Sequence, residues 1–223
     1  MDKRSPPRRG RRPGRPSEPQ AEALDARERL LDAALDRFVK EGIAASTLRA
    51  IADQAGVTPA LLHYYFGDRQ QLVEAVIEDR LMPALAGLRG AIGQAGGDLR
   101  ALVRGFVAAA FALAETHPWL PPLWVREVLS EGGALRGLLR ERIAPMVPLA
   151  LAQRFAEAQR HGRLNAELDP RLLVVSLVGL TLFPLAAAPI WRDIFDAGDV
   201  GREQLLLHTL ALLENGLELD HDD

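Results

Sequence analysis

Residues 46–66 read STLRAIADQAGVTPALLHYYF, and this stretch decides the fold because it spells two short helices with a glycine corner between them. Leu48, Ile51, Ala52 and Ala55 recur at helical spacing and give the first helix one buried stripe. Gly56 can take the left-handed conformation that ends a helix at little cost, and Val57 tucks into the small core just past the corner. Thr58 supplies an N-cap oxygen for the second helix, and Pro59 takes its first position, where a missing N–H is not needed. Ala52 is small where the helices approach, and Leu62 with Tyr65 faces inward from the second. Stripe, corner, cap and second stripe agree on a helix-turn-helix; the plainer alternative is an ordinary helical hairpin.

On the N-terminal side, a helix over residues 24–41 places Leu31, Ala34, Leu35 and Phe38 on one face and stops at Gly42. It supplies the third helix of a DNA-binding bundle. On the C-terminal side, Gly67 closes the recognition helix, and Asp68 with Gln71 three residues on forms a capping-box arrangement. That opens a linking helix over 68–92, with a bend expected at Pro83. Further helices are expected over 99–115, 123–129, 135–160, 171–187 and 203–217, separated by proline and glycine breakers. No alternating strand pattern and no internal repeat occurs. The expected fold is all-α: an N-terminal three-helix helix-turn-helix domain plus a C-terminal helical ligand-binding and dimerisation domain.

The chain of 223 residues is 48% hydrophobic and 26% charged, enough to bury a sizeable core. It has no cysteine, which excludes disulfides and thiolate metal sites and fits a reducing cytoplasm. The basic N-terminus has no apolar run behind it, so a secretory signal is not expected. Residues 1–20 carry seven bases against Asp2 and Glu18, a surplus of five; with a net charge of −3, the remainder carries −8. Such an arm is drawn to a polyanion while the body is repelled. Its composition predicts disorder over 1–20, and Arg12 to Pro16 is a compact basic segment of the kind that fits a narrow A·T minor groove. A solvated charge run is the alternative reading.

From residue 47 to residue 72, a Thr ahead of the first helix, IADQAGV around the corner and LLHYYFGDRQQL into the linking helix resemble the tetracycline-repressor (TetR) family of bacterial regulators. The resemblance implies that Thr47 and Thr58 lie near phosphates, that Pro59, Ala60 and Leu61 meet base edges, and that His63, Tyr64 and Arg69 hold the DNA backbone. His63 stands where a Tyr is usual, and Arg69 where a Lys is usual. Arg12 and Arg15 of the arm and Arg49 complete the expected DNA-binding set. Pro59, Ala60 and Leu61 cannot make the bidentate hydrogen bonds by which Arg reads guanine or Asn reads adenine, so apolar contact with thymine methyls, DNA shape and the arm are expected to carry specificity. A charged His63 imidazole would strengthen phosphate binding as pH falls; a neutral hydrogen-bonding ring is the alternative.

Such readers act as two-fold dimers on palindromes. Residues 172–191, LLVVSLVGLTLFPLAAAPIW, carry no charge, and the last helix is nearly as apolar. A helix apolar all round is buried or in lipid. Twenty uncharged residues are long enough for a bilayer, but Pro184, Pro189 and the lack of a second span favour a four-helix dimer seam. Leu172, Val175, Ser176, Gly179, Leu180, Phe183, Leu205, His208 and Leu212 are its expected residues. Phe106, Phe111, Trp119, Trp124, Met146 and Phe155 are candidates to line an apolar cavity, with His117, Arg126 or Glu127 at its polar end; plain core is the alternative for each. The expected division is therefore an arm (1–20), a DNA-binding domain (21–67), a ligand-binding and dimerisation domain (68–218) and an acidic tail (219–223).

An enzyme is not expected. The five histidines share no close helical spacing, no Gly-x-Ser-x-Gly elbow is present, and no glycine-rich phosphate loop follows a strand. No cofactor or metal is expected, and the expected partners are double-stranded DNA, a second copy of the chain and a small apolar or amphipathic effector. The functional reading is a ligand-responsive repressor on a palindromic operator, with a ligand-independent architectural DNA binder as the competitor.

Overall fold

The computed structural model describes residues 18–217, with side chains from residue 24 onward. The arm residues Arg12 and Arg15 and the tail 219–223 lie outside the described residues. Helix α1 runs Glu18–Glu41, so it begins inside the stretch 1–20 expected to be disordered. Helices α2 (Leu48–Ala55) and α3 (Pro59–Phe66) follow as expected. Leu31, Ala34, Phe38, Ile51, Ala52 and Leu62 are buried together, and Phe66 rather than Tyr65 is the second fully enclosed residue of α3; Tyr65 packs half-buried against the same core.

The expected linking helix is two helices. α4 (Arg69–Val76) passes through a wide turn at Ile77–Leu81 into α5 (Met82–Gln94). In the wide turn the Met82 N–H reaches back five residues to the Ile77 carbonyl. Pro83 lacks an N–H and its ring would crowd a carbonyl one tight turn earlier, so widening the turn makes room for it.

Two more wide turns interrupt expected helices. α6 (Leu99–Thr116) is continuous, but the next segment splits into α7 (Leu120–Trp124) and a wide turn at Val125–Leu129. The expected helix over 135–160 is α8 (Arg136–Leu138), a wide turn at Leu139–Ile143, then α9 (Pro148–Arg160) after a break at Pro148. α10 (Pro170–Ala186) ends where the sequence predicts and gives way to α11 (Ala188–Ile194), which was not expected, and α12 (Arg202–Leu217) closes the described chain. The axes of α10 and α11 differ by 71°. Pro189, near the start of α11, cannot donate a backbone hydrogen bond to continue α10. Among the described residues no single helix is long and apolar enough to cross a membrane.

Two apolar cores organise these helices. The first joins α1–α4 to Leu113, Leu120, Leu123, Val128, Leu135, Leu138 and Ile143. The second gathers α6, α9, α10 and α12 around Phe106, Phe111, Leu151, Phe155 and Leu177. α5 runs from one to the other, with Leu85 in the first core, Ile92 in the second and Leu88 touching both. The segment 120–143 therefore shares its core with the helix-turn-helix.

Candidate nucleic-acid interface

The corner between α2 and α3 is built as its residues dictate. Gly56 sits at φ 67°, ψ 34°, and the Val57 N–H reaches back to the Ala52 carbonyl at 3.0 Å, which satisfies the end of α2. Thr47 Oγ1 accepts from the Ala50 N–H at 3.2 Å, and Thr58 Oγ1 accepts from the Leu61 N–H at 3.3 Å. Each hydroxyl keeps its own proton for an outside acceptor, beside a helix start whose dipole favours an anion. At α4, Asp68 Oδ1 accepts from the Gln71 N–H at 2.9 Å, the cap read from the sequence.

Thr58, Pro59, Ala60, His63 and Tyr64 are exposed, Tyr64 at 81%. Leu61 is half-buried, so its side chain is shared between the core and the outer face. The His63 Nδ1 lies 2.6 Å from the Gly67 carbonyl, and because a carbonyl can only accept, that nitrogen carries the proton. Its Nε2 is left to face outward.

The charge balance of this surface is narrower than a count of bases suggests. Arg27 donates to Asp79 at 2.6 Å, Arg37 to Glu41 at 2.6 Å and Lys40 to Asp36 at 2.8 Å, while Arg29 pairs with Asp25 at 3.3 Å. Arg49 and Arg69 have no acidic partner among the described residues. Arg69 is half-buried, and its Nη2 is enclosed without a hydrogen-bond partner.

The seam residues divide. Leu172, Val175, Ser176, Gly179 and Phe183 form one exposed stripe along α10, spaced three and four apart, with Leu172 at 63%, Val175 at 67% and Phe183 at 69%. His208 and Leu212 are exposed on α12. Leu180 and Leu205 are half-buried, pack on the second core and line an open groove of about 470 Å³ with Pro184, Trp191 and Val200. Ile190, Ile194 and Phe195 are also exposed, and sequence reasoning missed them because no helix was expected between 187 and 203.

The expected cavity residues are not brought together. Phe106, Phe111 and Phe155 are enclosed in the second core, with Met146 half-buried against it, whereas Trp119 and Trp124 pack on the first. Packing, not a cavity, takes up these rings. His117 meets Trp119 edge-on at 5.4 Å, and Arg126 is exposed. Glu127 is buried, and its carboxylate is occupied by two backbone amides: Oε1 accepts from Ile43 at 2.9 Å and Oε2 from Ala134 at 3.1 Å. None of the nine lines either of two larger surface grooves, the one beside Leu180 or another of about 460 Å³ between α9 and the start of α10.

Residues 30–76, the helix-turn-helix with its flanks, match the family described as bacterial regulatory proteins, tetR family. Over 201 residues the chain is 25% identical to the HTH-type transcriptional regulator UidR of Escherichia coli strain K12, covering 89% of this chain and 95% of UidR. It is 40% identical to the HTH-type transcriptional regulator SrpR of Pseudomonas putida over 63 residues, which span 28% of this chain and only 30% of SrpR. In fold, it is similar to the ketosteroid transcriptional regulator KstR2 of Mycobacterium tuberculosis, with a TM-score of 0.66 at 20% identity over 86% of this chain and 94% of that one. Residues 30–76 thus carry the helix-turn-helix that marks bacterial regulatory proteins of the tetR family, and the relatives to which this chain is similar are HTH-type transcriptional regulators. The expectation of a regulator in place of an enzyme agrees with these relatives.

Proposed function

We propose that two copies of this chain, joined along α10 and α12, bind a palindromic DNA operator as a repressor and release it when a small apolar or amphipathic effector binds the C-terminal half. The observation that carries the DNA reading is the outward surface of α3, where Thr58, Pro59, Ala60 and Tyr64 stand clear of the core beside a capped helix start. Thr47, Thr58, His63, Tyr64, Arg49 and Arg69 approach phosphates. Pro59, Ala60 and the outer part of Leu61 contact thymine methyls. Arg12 and Arg15 follow the adjacent minor groove.

The uncharged stripe on α10 supports the dimer, because an apolar helical face of this regularity on a solvent surface is a surface awaiting a partner. Binding sites selected from a random pool, then resynthesised with uracil in place of each thymine, test the readout. Weaker binding at the thymines under α3 supports it, and unchanged binding refutes apolar base contact. A footprint separates the regulator from an architectural binder: one protected palindrome of fixed spacing against protection with little sequence preference.

A further inference from the structure

Glu127 is 5% exposed, and no cation is paired with it among the described residues. A buried carboxylate without a counter-charge is costly unless amide dipoles surround it, and here the two N–H groups that do so come from different parts of the fold. Ala134 belongs to the same local loop, but Ile43 lies between α1 and α2, eighty-four residues earlier, inside the DNA-reading head. The surroundings are shaped to this contact. A Cβ at Gly42 would come within 3.1 Å of Glu127 Oε1, and one at Gly133 would run into the Glu127 backbone carbonyl. The Leu135 N–H holds that same carbonyl at 2.9 Å.

Further along the segment, Arg142 donates to Glu74 of α4 at 2.6 Å and to Glu78 in the wide turn that joins α4 to α5. Residues 120–143 are thus fastened to the turn that precedes α2 and to the helix that follows α3, while α9 and α6 up to Phe111 belong to the other core. We infer that residues 120–143 form a coupling strap whose buried Glu127 carboxylate sets the angle of the DNA-reading head on the body. An effector that displaces the strap pulls on the Ile43 amide and turns α2 and α3 with it. This rests on the effector-responsive reading above, but its test needs neither DNA nor effector.

Glu127→Gln keeps the shape and replaces one acceptor oxygen by an NH₂ group that faces an N–H donor. In the full chain, hydrogen exchange at the Ile43 or Ala134 amide is expected to quicken at least tenfold, with the Leu62 amide of α3 unchanged. Because the chain has no cysteine, Asp53→Cys on α2 with Gln153→Cys on α9 gives a clean pair of spin-label sites across the two cores. The label-to-label distance distribution is expected to broaden or shift in Glu127→Gln, and also in Arg142→Gln, whose half-buried side chain leaves the core intact. Faster exchange or lower stability with both distance distributions unchanged would reduce Glu127 to a local brace and overturn the inference. Failure of the wild-type chain to bind any selected operator would sink the proposed function and leave this measurement standing.

Discussion

Thr58 shows how much one side chain can state in sequence: a hydroxyl before a proline, after a glycine corner, predicts a cap, and Oγ1 accepts from the Leu61 N–H. Thr58→Ala is expected to lower stability by about 1 kcal/mol in urea unfolding, the usual worth of an N-cap. Leu62, read as facing inward, is wholly enclosed between the helices, and Leu62→Ala should cost about 2–5 kcal/mol. Asp36 was not read at all. Hydrogen bonds from Lys40 and then Gln54 hold its carboxyl below the usual carboxylate range, and together they clasp α1 to α2. A carboxyl lowered by folding contributes stability above its unfolded pKa and loses it as pH falls through the folded one. Asp36→Asn should therefore cost something at neutral pH and nothing in strong acid. Because the site is largely solvated, the neutral-pH cost is at most about 1 kcal/mol. An equal cost at both pH values would refute the clasp. The role given to Glu127 in sequence, the polar end of a ligand cavity, failed for a reason periodicity cannot supply: its partner Ile43 is remote in the chain.

Helices were legible wherever a stripe of apolar residues ran between clear breakers, as in α2, α3, α6 and α12. What stayed hidden were the three wide turns, because a turn that gains one residue leaves composition untouched and only shifts the phase of the stripe. Pro83 pointed to the first of them but not to its form. The end of α10 was read at 187, but α11 was not expected, because a seven-residue helix is too short to show an apolar stripe, and with it went the exposed Ile190, Ile194 and Phe195. Tertiary approach around Val125–Leu129 also explains Gly133, whose need for no side chain is invisible in sequence. Gly133→Ala is expected to cost about 1–3 kcal/mol, since the obstacle is backbone that cannot rotate away. Gly137→Ala, in open space, should be neutral or slightly stabilising. Equal thermal shifts for the two would contradict the packing described.

As a molecule, the protein is an acidic body with few free cations at its reading surface. Four of the bases near the helix-turn-helix are committed to neighbouring acids, which leaves Arg49 and Arg69 and gives the arm its weight. Deleting residues 2–16 should flatten the plot of log affinity against log salt by several units, each phosphate contact contributing about 0.9. An unchanged slope would show that the arm takes no part. The seam is read from exposure on α10, so Val175→Glu, at an exposed position, should leave the chain folded but monomeric and weaken operator binding by about a hundredfold or more through lost bivalency.

The most direct measurement is a footprint of the wild-type protein on its best site from random-pool selection, with stoichiometry taken from sedimentation of the complex. The account predicts two copies per duplex and two symmetrical protected half-sites whose major grooves face the same side. A monomer that protects selected and scrambled DNA alike would contradict it.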